Sequence, residues 1–454
     1  MASQNKRKSV KNHEGVKARA FYGPQLLRRV AMTQMLFEDT FYIDGSKNVD
    51  ILNQAADECT IQELSEIAKE VKHKGLIRHT PLQLCIKLLE KANKNNLGET
   101  ERRWIGNDIA KCLTRVDDIT EITNLWLMQK QGAGKKMPHQ LRRAVNIAFN
   151  NFDEYQIAKY NRKGNVSLKD CLFLSHAKGE TAEQQDIFNR LVQGELKTPD
   201  TWETRLSSGQ DKKEAFTSLL AEGKLGMLAL LRNLRNMHES GVDVKLISEE
   251  LMRLAPKAKA LPFQYVAAAR ACPDLVPMID NAMRESIKHF PRLEGRTFVL
   301  VDVSGSMFWN HISGRSKLTT MDAAATLACY VEMLSNDGDF GCASFSNKTV
   351  DVPRFSGLAL IENIVNSQMH GGTRLYEAVK KVKENKKYDR LVVITDEQAS
   401  DYARPFKATA KHEYIINVAP NEKGIINNGS MHCINGFSQN IIQYIREYEA
   451  NEQI

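Results

Sequence analysis

Over residues 49–289 apolar side chains recur at three- and four-residue spacing, most clearly in 65–71, 82–92, 141–149 and 215–220. Such spacing puts one apolar stripe on each helix and predicts helices of about 10–15 residues. Short polar or Pro/Gly breaks at 79–81, 132–138, 162–165 and 197–200 separate them. Paired helices stacked side by side follow; no fixed repeat period is visible, so the helical repeats are degenerate. The pattern changes at 291–295. Continuous apolar runs at 297–302, 340–346, 390–396 and 414–418, with a shorter one at 348–352, read as strands. Helical stretches at 321–334, 358–365, 375–383 and 439–448 alternate with them. Alternation of this kind predicts a doubly wound α/β sheet, parallel except for one antiparallel edge strand. The expected organisation is a basic arm at 1–19, a helical domain at 20–290 with an aromatic-rich, turn-bearing start at 20–46, and an α/β domain at 295–454.

Inside the first strand run, FVLVDVSGSM (298–307) passes from apolar residues to Asp302, Ser304 and Ser306 around Gly305. Open α/β sheets bind ligands just beyond the carboxyl ends of their strands. A carboxylate and two hydroxyls at alternate positions there are hard oxygen donors, suited to Mg²⁺ more than to zinc or copper. The same residues also suit a second role, capping the helix that follows. Asp396 ends another core strand, and Thr373 lies in the glycine-flanked loop HGGT (370–373). These two additions favour the metal reading over the cap.

Charge divides the chain. Of 63 Lys and Arg and 55 Asp and Glu, residues 1–290 hold a net charge of +9 and residues 291–454 a net of −1. The basic half suggests a polyanionic partner, although much of the excess lies in residues 1–30. The eight cysteines form no C-x-x-C pair and fit neither a zinc module nor a disulfide framework, so reduced core thiols of a cytosolic protein are expected. No apolar run reaches the roughly 18 residues of a spanning helix, and no secretory signal is evident. No G-x-S-x-G elbow or motif-linked histidine supplies a nucleophile and base, so catalysis is not expected.

Two helical stretches carry candidate binding groups. In PHQLRRAVNIAF (138–149), Leu141, Ala144, Val145 and Ala148 form the buried stripe and leave Arg142 and Arg143 outside. Lys159, Arg162 and Lys163 stand at i, i+3 and i+4, on one helix face. Gly164 is the expected stop, and Ser167 with Asp170 the capping box of a helix ending near His176. Arg142, Lys159, Lys163 and His176, beside Tyr160, suit phosphates and unstacked bases of RNA. The plainer reading is that cations in a last turn complement the helix dipole. GMLALLRNLRNM (226–237) reads as a packed helix on Met227, Leu230, Leu231 and Leu234, with Arg232 and Arg235 on another face.

The set Asp302, Ser304, Ser306, Thr373 and Asp396 resembles the D-x-S-x-S…T…D signature of a von Willebrand factor A domain over 295–454. The order PHQLRRA, AKY…K…LKD…SH, ALLRNLRN and then such a domain resembles the TROVE family, the Ro autoantigen and its bacterial relatives, over 20–454. That resemblance implies an all-α ring of HEAT-like helical repeats, monomeric, joined by an α/β (Rossmann-like) von Willebrand A domain. It implies a metal-ion-dependent adhesion site in which the two Ser and the Thr bind Mg²⁺ or another divalent cation and the Asp residues act largely through water. It further implies a cytoplasmic ribonucleoprotein component: Y-like small RNAs on the outer basic surface, 3′ ends of misfolded RNAs in a central hole, and an exoribonuclease such as polynucleotide phosphorylase as partner. The family's RNA contacts fall on Lys159, Lys163 and His176, and less closely on Arg142. Lys163 departs from relatives with Arg there, keeping the charge but losing bidentate phosphate geometry. A reading from another class, a metal-dependent protein-adhesion adaptor, rests on the α/β half alone.

Overall fold

The computed structural model describes residues 10–33, 45–95, 97–129, 136–258, 260–312, 317–336, 338–401, 406–426, 430–438 and 440–451. Contacts divide the chain into two compact units, residues 53–211 and residues 1–52 with 212–454. Most of the expected 36–46 turn segment, part of the 132–138 break and residues 1–9 of the expected basic arm lie outside the described residues.

The 53–211 unit is helical throughout. Thr60 and Glu63 form a reciprocal capping box that starts the helix Ile61–His73, which satisfies two otherwise orphaned N–H groups. The apolar stripes are buried as their spacing predicts: Leu64, Ile67, Ala68 and Val71 in this helix, and Leu141, Ala144, Val145 and Ala148 in His139–Asn150. Helix Glu99–Cys112 lies closely along His139–Asn150 because Gly106 has no side chain. A Cβ there would meet Gln140 O at 2.9 Å. Buried acids tie neighbouring helices together: Asp108 accepts from Ser65 at 2.9 Å and Lys69 at 2.5 Å, and Asp118 from Lys72 at 2.8 Å.

In the other unit, helices Lys212–Ala221, Met227–Glu239, Val244–Leu254, Pro262–Ala271 and Val276–Ile287 precede the main sheet. The Met227 helix buries Met227, Leu230, Leu231 and Leu234 and exposes Arg232 and Arg235, as its periodicity predicts. Asn233 is buried as well, donating to Ala229 O at 2.9 Å. The last two helices are joined to the α/β part by charge. Arg270 reaches Asp322 (2.7 Å) and Glu362 (3.1 Å), and Asp280 accepts Leu358 N at 2.7 Å.

Nine strands are present among the described residues: β1 Val10–Lys11, β2 Lys17–Ala20, β3 Thr297–Asp302, β4 Phe340–Phe345, β5 Thr349–Asp351, β6 Arg390–Thr395, β7 His412–Asn417, β8 Lys423–Gly424 and β9 His432–Asn435. The six-stranded sheet runs β5-β4-β3-β6-β7-β9, parallel except for the antiparallel edge strand β5. The fully buried β3, β6 and β7 explain the unbroken apolar runs. The ninth strand was not legible, because HCIN (432–435) carries only a fragment of apolar pattern. From β3 the chain moves outward through β4 and β5, then returns to β6 on the other side of β3. The carboxyl ends of β3 and β6 therefore flank a topological switch point.

The expected solvated arm is corrected. Residues 10–20 form the hairpin β1–β2, and β2 pairs antiparallel with β8 through Arg19–Gly424 and Ala20–Lys423. A charged stretch hid it: alternation across KARA buries only Ala18, too little signal to separate a strand from an arm. Its continuation, the helix Gly23–Thr33, buries Arg29 against Glu397 (2.7 Å, each side chain 1% exposed) and Asn421 O (2.5 Å).

Candidate functional site

Two places collect the residues singled out above. The first is the switch point. Asp302 is the last residue of β3, and Asp396 directly follows β6. Asp302, Ser304, Ser306, Thr373 and Asp396 are all buried, on three loops that hydrogen bonds link at one end of the sheet. Asp302 is held on both oxygens: Ser304 N donates to Oδ1 at 2.9 Å, and Thr395 Oγ1 to Oδ2 at 2.6 Å. The Ser304 and Ser306 hydroxyls are 3.3 Å apart, and Ser306 also bonds the Asp396 carboxylate. Gln398 N donates to Asp396 Oδ1 at 2.9 Å.

The Thr373 loop reaches the site by close backbone approach. Gly305 N donates to Gly371 O at 2.8 Å, Gly371 N to Ser346 Oγ at 2.8 Å, and Gly372 N to Asn347 Oδ1 at 2.9 Å. A Cβ at Gly371 would stand 2.1 Å from Asn347 Nδ2, so a side chain there would push the Asn347 amide aside. Thr373 N donates to Ser400 Oγ at 3.0 Å, which joins this loop to the one after β6. His370 stacks on Phe308 at 4.6 Å and donates from Nδ1 to Val303 O at 3.0 Å.

The capping alternative is met in part, since Asp302 Oδ1 accepts Ser304 N in an Asx turn ahead of the helix. Ser304 occupies the N-cap position of the short helix Gly305–Trp309, yet its side chain makes no capping hydrogen bond. Its hydroxyl faces Ser306 instead. Burial, and then the charge of Asp396, pushes the Asp302 carboxyl well above the ordinary carboxylate range, and burial pushes Asp396 up as well. Two carboxylates in a dry pocket without a buried cation between them are unfavourable. The neighbouring buried Arg29 is already paired with Glu397. A hard divalent cation fits this donor set: it relieves the repulsion, and the three hydroxyls add neutral oxygens. No group of three or more His, Cys, Asp and Glu suited to a metal occurs among the described residues, so any such site depends on the hydroxyls.

The second place is the basic face of the 53–211 unit. Here the sequence reading needs one correction. The helix Glu154–Tyr160 ends with Asn161 as C-cap, four residues before the expected stop at Gly164. Arg162 and Lys163 therefore lie beyond the helix, and the i, i+3, i+4 face does not exist. Asn161 leaves the helical region (φ −74°, ψ 78°), and Asn is a frequent breaker because its side chain competes for backbone groups. Tyr160 becomes the centre instead. Arg115 lies 5.2 Å from its ring centroid and donates to its hydroxyl at 3.1 Å, while Lys159 and Arg162 stand 6.0 and 5.9 Å from the ring. Lys159 also approaches Tyr155 at 5.9 Å. Arg115 was invisible to a local reading, being 45 residues away in sequence.

The next helix, Leu168–Ser175, starts at the expected Ser167–Asp170 capping box and ends at His176 as C-cap. His176 is exposed in the left-handed region (φ 52°, ψ 40°). It lines a shallow depression of about 420 Å³ with Phe173, Gln185, Asn189 and Gln193. Lys178 beside it is tied to the His139 helix through Asn146 and Asn150. Arg142, on that helix, is half-buried rather than outside, and its Nε is buried without a hydrogen-bond partner; Arg143 is held by Asn107 at 2.8 Å. Of the four candidate cations, Lys159 stands beside Tyr160, Lys163 is exposed beyond the helix end, Arg142 lies on the His139 helix and His176 caps the helix after Lys163. The intervening eight-residue helix is about 12 Å long.

Residues 193–297 match the family model of the TROVE domain. Telomerase protein component 1 of Mus musculus is 29% identical over 101 residues, 21% of this chain. The chain spans 4% of the length of that relative. The crystal structure of the Ro (Rsr) protein of Deinococcus radiodurans is similar over 94% of this chain and 100% of that one, with a TM-score of 0.56 and 16% identity. The matched segment lies outside both clusters described above. Helical repeats and an α/β domain are thus shared with a bacterial Ro protein in fold, and residues 193–297 of this chain carry the TROVE match.

Proposed function

We propose that this chain is a noncoding-RNA-binding component of a ribonucleoprotein, without catalysis of its own. The observation that carries the reading is the Tyr160 cluster: Arg115, Lys159 and Arg162 lie on one aromatic ring. Of these Arg115 is paired with Asp117, while Lys159 and Arg162, like the exposed Lys163 that follows, are in no ion pair among the described residues. Cations not neutralised by acids are available to phosphates, and aromatic rings beside them offer stacking faces to unpaired bases. Exposed His176 and Phe173 extend the surface. The TROVE match and the fold shared with a Ro protein support the same reading. Its finer form is a Y-like small RNA on this surface, 3′ ends of misfolded RNAs taken into the hole of a closed helical ring, and a cytoplasmic role in RNA quality control or stability with a partner exoribonuclease. The test is RNA affinity after Lys159→Ala with Lys163→Ala. Unchanged binding of structured small RNAs would remove the site assignment.

A second reading has its own observation, the buried oxygen cluster at the switch point. Ser304, Ser306 and Thr373 would hold Mg²⁺ directly, with Asp302 and Asp396 neutralising it through hydrogen-bonded neighbours, as in a von Willebrand factor A domain. The ion supplies an electrophilic position for an acidic group. Thr395 and Gln398 orient the carboxylates, and the glycine loop brings the buried Thr373 to the same end of the sheet. On this reading the chain also acts as a metal-dependent adaptor. Asp302→Ala would abolish partner capture while leaving RNA binding intact.

A further inference from the structure

The depression of about 420 Å³ that His176 lines is formed between two helices, Leu168–Ser175 and Ala182–Gln193. From the first, Phe173 contributes a ring that is 55% exposed. From the second come Gln185, Asn189 and Gln193, at i, i+4 and i+8 and therefore on one helix face. Three amides thus share a depression with one open aromatic ring.

The amide row has a fixed start. Gly179 N donates to Gln185 Oε1 at 2.9 Å, which turns Gln185 Nε2 toward Asn189 Oδ1 at 3.1 Å. Asn189 Nδ2 is left as a donor and Gln193 with donor and acceptor both, none of them bonded to another described residue. Cations mark the two ends. Lys178 lines the depression beside Gln185 and is in no ion pair among the described residues. At the other end Lys169 donates to Val192 O at 2.8 Å. No Asp or Glu among the described residues lines the depression. Asp186, next to Gln185, is turned to Arg190 at 2.9 Å, and Asp170 serves the Ser167 cap.

Positive ends with a ring and amides between them match one nucleotide within a strand, a phosphate on each side of a flat base with a polar edge. We infer that this depression is a base-reading subsite for a single unpaired adenine, stacked on Phe173 beside His176 and read by Asn189 and Gln193. The inference rests on the RNA reading above and deepens it. Lys159 and Lys163 give affinity for any strand, whereas this subsite gives a choice of sequence. Adenine carries an acceptor, N7, beside a donor, N6, and an amide matches the pair with two hydrogen bonds. Guanine offers two acceptors on that edge, and a pyrimidine offers a smaller ring to stack.

The test titrates the full chain into uridine oligonucleotides carrying one central adenosine, guanosine or cytidine, or none, with binding followed by fluorescence anisotropy. The parent is expected to prefer the adenosine strand about fivefold or more. Phe173→Ala should lower that affinity about fivefold to tenfold, and Asn189→Ala and Gln193→Ala should bring the four strands level. All three side chains are exposed, so their loss leaves the fold intact, and the salt dependence stays as it was because no charge is removed. Lys159→Ala with Lys163→Ala should weaken all four strands alike and keep the preference. Equal affinity of the parent for the four strands, or a preference that survives Phe173→Ala and Gln193→Ala, overturns the inference; with binding still weakened by the lysine pair, the RNA reading stands and the exposed ring belongs to a protein contact. No oligonucleotide bound by the parent overturns the inference, and no structured RNA bound either overturns both.

Discussion

The two clusters are built on opposite principles. At the switch point nearly every polar atom is held: Asp302 by Ser304 N and Thr395, Asp396 by Ser306 and Gln398, Thr373 by Ser400. Around Tyr160, Arg115 is paired with Asp117 at 2.9 Å, while Lys159 and Arg162 are held by little except aromatic rings. A small, strongly hydrated ion demands fixed oxygens at short range. A long, flexible polyanion demands charge and stacking surface, and tolerates movement of each group. What separates the clusters is therefore how much of each site's geometry the fold itself determines. Substitutions at the first should be felt in stability, and at the second almost only in binding.

The largest effect that would break this contrast is expected at Arg29. Arg29→Ala strands Glu397 in the interior and should cost about 3–5 kcal/mol, measured by denaturant unfolding. A loss near zero would mean that the N-terminal helix is not part of the frame around Asp396. Next in size is the ion itself. Mg²⁺ at a hundred times its dissociation constant should stabilise the chain by about 2.7 kcal/mol, and calorimetry of Asp302→Ala should show no such gain.

On the basic face, Lys159→Ala with Lys163→Ala should leave unfolding within about 0.5 kcal/mol of the parent. RNA affinity should fall roughly tenfold at low salt, and the slope of log affinity against log salt should shrink by about 1.4–1.8. Filter binding at several salt concentrations reads both. A stability loss comparable to that of Arg29→Ala would erase the distinction between the clusters. The smallest effect has the opposite sign for the two properties. His176→Gly relieves a left-handed backbone and should stabilise by about 1 kcal/mol, yet weaken RNA binding in the same assay.

Legibility followed the same division. Asp302, Ser304, Ser306, Thr373 and Asp396 were readable because strand ends are marked by an abrupt change from apolar to polar residues, and the parallel sheet gathers those ends. Most helices were readable from burial period alone. The end of the Glu154 helix was not, because Lys159, Arg162 and Lys163 satisfy helical spacing whether or not the backbone follows it, and nothing apolar beyond Ile157 anchors the last turn. The hairpin at 10–20 and the roles of Arg29 and Arg115 were hidden for another reason. Their partners stand far away in sequence, and a residue's neighbours in the chain carry no trace of them.

The pairing of residues 10–33 with 397–425 also has a consequence during synthesis. Asn12 meets Ala399 across 387 residues, and Arg29 meets Asn421 across 392. On the ribosome the helix Gly23–Thr33 emerges with a guanidinium whose carboxylate partner, Glu397, is translated 368 residues later. Closing a loop costs about 0.6 kcal/mol more for each doubling of its length, and translation delays this closure further. Until that partner arrives, this segment exposes its apolar face and a charge awaiting burial, a combination that calls for a temporary companion.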